Sequence, residues 1–179
     1  MLRTRTAAVL AGFALLLAGC SDNSEDPKPQ STPILPSTSQ APAAAATSPG
    51  KAAGVNAPLD TGISKGTGME TSIVSVEDVN SRYGPVTVFT FQVVNVTDKL
   101  FDGYNWPTPT VVYGEAGSPA EHTVSMSEGY GNGVQGSIPP GSRQTVKHAY
   151  KVQKSQLNPA VVSAGSVIWQ GDFTVFQRQ

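Results

Sequence analysis

Three side chains in this sequence are of the types that hold soft metal ions. His122 and Met126 stand four residues apart, and His148 lies in a stretch of alternating polarity. Imidazole and thioether suit copper, so a small-ligand or metal carrier using His122, Met126 or His148 is one reading. No second methionine stands beside either histidine, so no complete metal site is expected. Other chemistries find less support. A serine hydrolase needs a nucleophile on a strained turn and a base oriented by an acid. There is no Gly-x-Ser-x-Gly elbow, and Ser142 after Gly141 reads as turn. The run Gly129-Tyr130-Gly131-Asn132-Gly133 lacks the Gly-Lys-Ser/Thr ending of a phosphate loop. Asp78, Asp98 and Asp102 lack the dense Asp/Asn spacing of a calcium loop. Neither an enzyme nor a cofactor is expected.

Aromatic side chains are the stronger lead. Phe101, Tyr104 and Trp106 sit among Gly103, Asn105, Pro107 and Pro109, in what reads as a loop. Tyr and Trp in loops supply large contact area at low entropic cost. Tyr130, in the Gly-rich stretch, joins them if both loops lie at one end of the domain. Such a surface suits a sugar ring or a peptide. The competing reading is that Phe101 or Trp106 plugs the end of the core.

The single cysteine, Cys20, carries a different chemistry. Arg3 and Arg5 precede an uncharged apolar run over residues 7–18, and small residues Ala18 and Gly19 lead up to the thiol. This is the anatomy of a secretory signal, too short to span a bilayer as a stable helix. Leu17-Ala18-Gly19-Cys20 resembles the lipobox of bacterial lipoproteins. The resemblance implies a diacylated thiol and removal of residues 1–19. Two acyl chains make a stable anchor, since each buried CH₂ contributes about 0.8 kcal/mol and one chain is marginal. The membrane, reached through diacylglycerol on Cys20, is thus the first expected partner, and the address is the extracytoplasmic face of the cell membrane.

These groups must be positioned by a fold built without a disulfide, because the 179 residues contain one cysteine. Removal of Arg3 and Arg5 with the signal leaves 10 basic against 13 acidic residues, a net charge of −3. That is no footprint for nucleic acid. Residues 20–66 read as a disordered linker. Seven prolines recur there among Ser, Thr, Ala and Gln, with little bulky apolar surface to offset the entropy of ordering. Such a chain reaches roughly 140 Å when extended and on the order of 40 Å as a coil.

Residues 67–179 read as the folded domain. Thr71-Ser72-Ile73-Val74-Ser75-Val76 alternates as a half-buried strand does. In the stretch 85–96, Phe89, Phe91 and Val93 share one face at period two, with a mixed face opposite. Shorter strands are predicted over 110–113, 122–126, 145–152, 161–163, 166–169 and 172–176. No amphipathic helix is evident. About seven strands with regular turns predict an all-β, antiparallel sandwich. A chain starting near Gly66 is expected to fold alone.

The strand 86–96 running into Thr97-Asp98-Lys99-Leu100-Phe101-Asp102 resembles the "strand, Asn-x-x-Asp/Ser, small loop" signature of extracellular immunoglobulin-like domains on bacterial lipoproteins. Ile138-Pro139-Pro140-Gly141-Ser142, followed by the alternating stretch 146–152, resembles the later signature of the same group. A small secreted immunogenic protein of mycobacteria is similar to that group in fold. The resemblance covers Met69 onward and implies an immunoglobulin-like sandwich at a surface or wall, with no catalytic residues to transfer. The expected function is a membrane-anchored, non-enzymatic binding module whose partner is an envelope protein or polysaccharide.

Overall fold

Residues 84–94 alternate so strictly that one strand can serve two cores. Phe89, Phe91 and Val93 are buried in the main core, whereas Val86 and Val88 belong to a second, smaller cluster with Ala149. The computed structural model describes residues 54–178. The signal segment, Cys20 and most of the linker lie outside the described residues. In chain order the strands are β1 Val55–Asn56, β2 Thr61–Ile63, β3 Glu70–Ser81, β4 Gly84–Val94, β5 Phe101–Asp102, β6 Thr110–Tyr113, β7 Ser118–Pro119, β8 His122–Thr123, β9 Ser137–Ile138, β10 Arg143–Tyr150, β11 Ala160–Ala164 and β12 Val167–Gly171. The helical elements among the described residues are three-residue 3-10 turns.

Two five-stranded sheets, ordered β2-β3-β4-β10-β8 and β1-β12-β11-β6-β7, make the sandwich. In the first sheet β3, β4, β10 and β8 take the places of A, B, E and D of an immunoglobulin domain, and β6, β11 and β12 take the places of C, F and G. The predicted all-β sandwich is therefore the observed fold. Trp169, Tyr150, Phe89, Phe91 and Phe173 fill the space between the sheets. One pairing departs from the expected antiparallel pattern, since β1 runs parallel to β12.

The linker boundary at residue 66 needs correction. β1 and β2 belong to the sandwich, one on each sheet. Their sequence looked like linker because neither strand has a strong apolar pattern, and polar anchors hold them instead. Asn56 Nδ2 donates to Ile168 O at 3.1 Å, and the Trp169 indole donates to Asp60 O at 2.9 Å. Gly62 lets β2 lie against the other sheet, because a Cβ there would collide with Val167 and Asn56. Removing residues 54–65 strips these partners from a buried tryptophan. We expect a chain starting at Gly66 to be at least about 2 kcal/mol less stable than one starting at Gly54. Urea denaturation of the two lengths checks this.

The strand predicted over 172–176 is instead a pair of turns. Asp172 Oδ1 accepts from the amide and hydroxyl of Thr174, which bends the chain so that Phe173 and Phe176 both enter the core. The strand predicted over 122–126 stops at Thr123. Beyond it residues 125–130 form a strap over the outer face of the β4 sheet. Ser125 and Tyr130 bridge to each other, and Tyr130 also bridges to Lys147. Tyr130 packs on the Val86, Val88 and Ala149 cluster, which buries the second face of β4.

The ends of the sandwich differ in what they carry. Ser64 Oγ and Ser166 Oγ lie 3.3 Å apart, joining the β2–β3 and β11–β12 turns at one end. The chain enters at that end, because Val55 pairs with Ile168 near the start of β12. The β3–β4 turn lies at the other end, ten ladder steps from the Glu70 pair, or about 33 Å away.

Candidate functional site

The four aromatic residues singled out in the sequence do not assemble into a surface. Phe101 and Trp106 are buried in the main core, a correction to their expected role in binding. Trp106 packs edge-on against Phe91, with ring centroids 5.9 Å apart, and tilts over His148 at 5.7 Å. The physical cause is Gly103. It approaches Gly136 O and Val134 so closely that no Cβ fits, and its amide donates to Gly136 O at 2.8 Å. That contact pulls the 3-10 turn Gly103–Asn105 inward, and Trp106 follows it into the sandwich. A Gly103→Ala variant is therefore expected to lose about 2 kcal/mol, read by thermal melting. Tyr104 is 92% exposed, with its amide held by Asp102 Oδ1 at 3.1 Å. Tyr130 is half-buried on the strap, and no ring contact joins it to Tyr104 among the described residues.

The two histidines do converge. β8 pairs His122 with Tyr150 and Thr123 with Ala149, which sets His122 beside His148 on the inner face. His122 Nε2 and His148 Nδ1 lie 3.0 Å apart, so one ring donates to the other. His148 is buried against Phe91 and Trp106, and its Nε2 has no hydrogen-bond partner. Burial first, and the neighbouring His122 second, hold its pKa down to about 4. Burial also lowers the pKa of His122. The pair is therefore neutral at pH 7. The ring nitrogens that face each other are spent on their own hydrogen bond rather than turned toward a common point. Met126 rides on the strap and is 71% exposed. Among the described residues no three His, Cys, Asp or Glu side chains group as metal ligands.

His122 also lines a concavity of about 190 Å³ with Tyr83, Glu121, Thr123, Val124 and Lys151. Tyr83 stands on the β3–β4 turn and is 56% exposed. On its other side it borders a second concavity of about 400 Å³ with Pro85, Lys151, Val152, Gln153 and Gln156. Sequence reasoning passed over Tyr83 because it follows a turn signal rather than an aromatic cluster. Its amide donates to Ser81 Oγ at 3.0 Å, and the Arg82 guanidinium lies 5.9 Å from the ring centroid. Arg82 in turn donates from Nη1 to Ser127 Oγ at 3.1 Å and from its amide to Glu128 Oε1 at 3.2 Å. Glu121 and Lys151 pair at 2.5 Å on the rim. The Thr123 hydroxyl is buried without a partner.

A groove of about 390 Å³ between residues 74–77 of β3 and the tail at 176–178 is the main alternative. Its cations are already engaged. Lys154 Nζ donates to Phe176 O and Arg178 Nη2 to Leu59 O. The Tyr83 end is therefore the better candidate for recognition.

No known family model matches the chain, and no curated protein does. Three solved structures are similar to it in fold. A conserved hypothetical protein from Bacillus anthracis is 12% identical, covering 66% of this chain and 94% of its own, with a TM-score of 0.47. A Staphylococcus aureus protein described as "a putative lipoprotein" is 9% identical, covering 65% and 94%, with a TM-score of 0.45. An uncharacterized β-sandwich protein from Clostridium difficile is 15% identical, covering 65% and 93%, with a TM-score of 0.41.

Proposed function

We propose that this protein is a lipoprotein anchored through diacylglycerol on Cys20 at the extracytoplasmic face of the cell membrane. Its immunoglobulin-like sandwich acts as a non-enzymatic binding module, and its recognition surface is the end of the domain that carries Tyr83. One observation supports this most directly. The chain enters the sandwich at one end, whereas an exposed aromatic ring that borders two concavities stands at the other. A linker attached at residue 54 then presents Tyr83 away from the membrane. Among the described residues no helix is long and apolar enough to cross a membrane. The anchor in this reading is the acyl group on Cys20.

Two experiments separate the parts of this reading. Cys20→Ala is expected to abolish labelling by a radioactive or alkyne fatty acid and to free the chain from membranes. Continued labelling of that variant sinks the anchor. Crosslinking on intact cells is expected to capture an envelope component with the natural chain and to lose it with Tyr83→Ala. Tyr83 bears on no core contact, so the variant should keep its melting temperature to within a few degrees. Equal capture by both chains moves the site elsewhere on the sandwich.

A further inference from the structure

We infer that the Tyr83 end binds a neutral, linear oligosaccharide that crosses the tyrosine ring, with one sugar unit seated on each side. The inference rests on the binding-module reading and names its ligand class. Four features carry it. The first is a platform. Ser81 fixes the Tyr83 backbone and the Arg82 guanidinium lies against the ring, which leaves an exposed aromatic face for a flat apolar surface. The C–H face of a pyranose is such a surface, and ring–face contact is sequence-tolerant in a way that a peptide pocket is not.

The second feature is the trough. The two concavities share Tyr83 and Lys151, so together they form one open path across the turn. A linear chain fits it better than a single compact ligand. The third is a pair of prearranged amide donors. Gln153 and Gln156 cap each other's backbone, with Gln156 Oε1 accepting from the Gln153 amide. The Gln156 side-chain oxygen is engaged, which leaves its NH₂ group, with the exposed Gln153 amide, for ligand hydroxyls on the larger side. On the smaller side Glu121 and Lys151 stand on the rim.

The fourth feature is charge. Glu121 is paired with Lys151, and the strap carries Glu128 to the Arg82 amide. A surface whose charges are matched internally favours a neutral ligand over an anionic polymer. An extended peptide would bind by adding a strand to a sheet edge, and this end of β3 and β4 is a turn.

Saturation-transfer NMR on the full chain in detergent micelles, with chitotetraose and cellotetraose as probes, tests the inference. We expect saturation of the sugar ring protons from one of the two probes, insensitive to added salt. Tyr83→Ala should weaken binding at least about tenfold and Gln156→Ala several-fold. Binding that survives Tyr83→Ala overturns the assignment. So does the absence of binding by both probes at millimolar concentration. If that absence accompanies Tyr83-dependent capture of an envelope protein on cells, the ligand class fails while the binding module stands. If capture is absent as well, both fail.

Discussion

Replacing Asn95 by alanine is expected to destabilise the domain by about 3–4 kcal/mol and to lower its melting temperature by about 10 °C. Asn95 is fully buried, and its side chain is fully used. Nδ2 donates to Lys99 O at 2.7 Å and to Ile138 O at 2.8 Å. Oδ1 accepts from the Thr97 amide at 3.0 Å and from its hydroxyl at 2.7 Å. The Asn95 backbone exchanges two further bonds with the turn opposite, donating to Ser142 O and accepting from the Gly141 amide. Alanine removes four hydrogen bonds and strands a buried carbonyl at Ile138, where each unsatisfied group costs about 1–3 kcal/mol. Asn95→Asp is the sharper test. It keeps the acceptor half and sets a carboxylate against the Lys99 and Ile138 carbonyls, so it should be less stable than Asn95→Ala near neutral pH. Equal stability of the natural chain and Asn95→Ala in urea would falsify the role assigned to this side chain.

Acidification provides the second large effect. His148 is neutral in the fold because burial lowers its pKa to about 4, against an ordinary value of 6.5. Above pH 6.5 neither the folded nor the unfolded chain protonates it, and its contribution is constant. Between pH 6.5 and 4 the unfolded chain takes up the proton while the folded chain does not, so stability falls as pH falls. Below about pH 4 both states are protonated and the loss levels off. The total is on the order of 3 kcal/mol. His122 has its pKa lowered in the same direction and adds to the early part of the slope. We expect urea midpoints to drop steadily from pH 7 to pH 4, and His148→Gln to flatten most of that slope while remaining folded. A variant with the natural slope would place the effect on the carboxylates.

Asn95 also shows how far the sequence carries. The two stretches that resembled an immunoglobulin-like lipoprotein domain, one after β4 and one before β10, were quoted as separate motifs. In the fold they meet, with Asn95 bonded to Ile138, Gly141 and Ser142. Together they build one buried hydrogen-bonded corner, a structural task rather than a recognition task.

Period-two alternation in β3, β4 and β10 determined the β class and the buried face of β4, because a strand's pleat sends successive side chains to opposite sides. The segment around Cys20 likewise determined an expected address from local chemistry alone. Tertiary structure decided the rest. Local sequence could not show that Gly103 is pinned by Gly136, and so could not tell that Trp106 and Phe101 turn inward. It could not join β1 and β2 to the sandwich, since their anchors come from residues more than a hundred positions away. Nor could it place His122 beside His148, or raise Tyr83 above the other tyrosines. Exposure and convergence depend on which distant strands pair, and that pairing is set by the packing of the whole core.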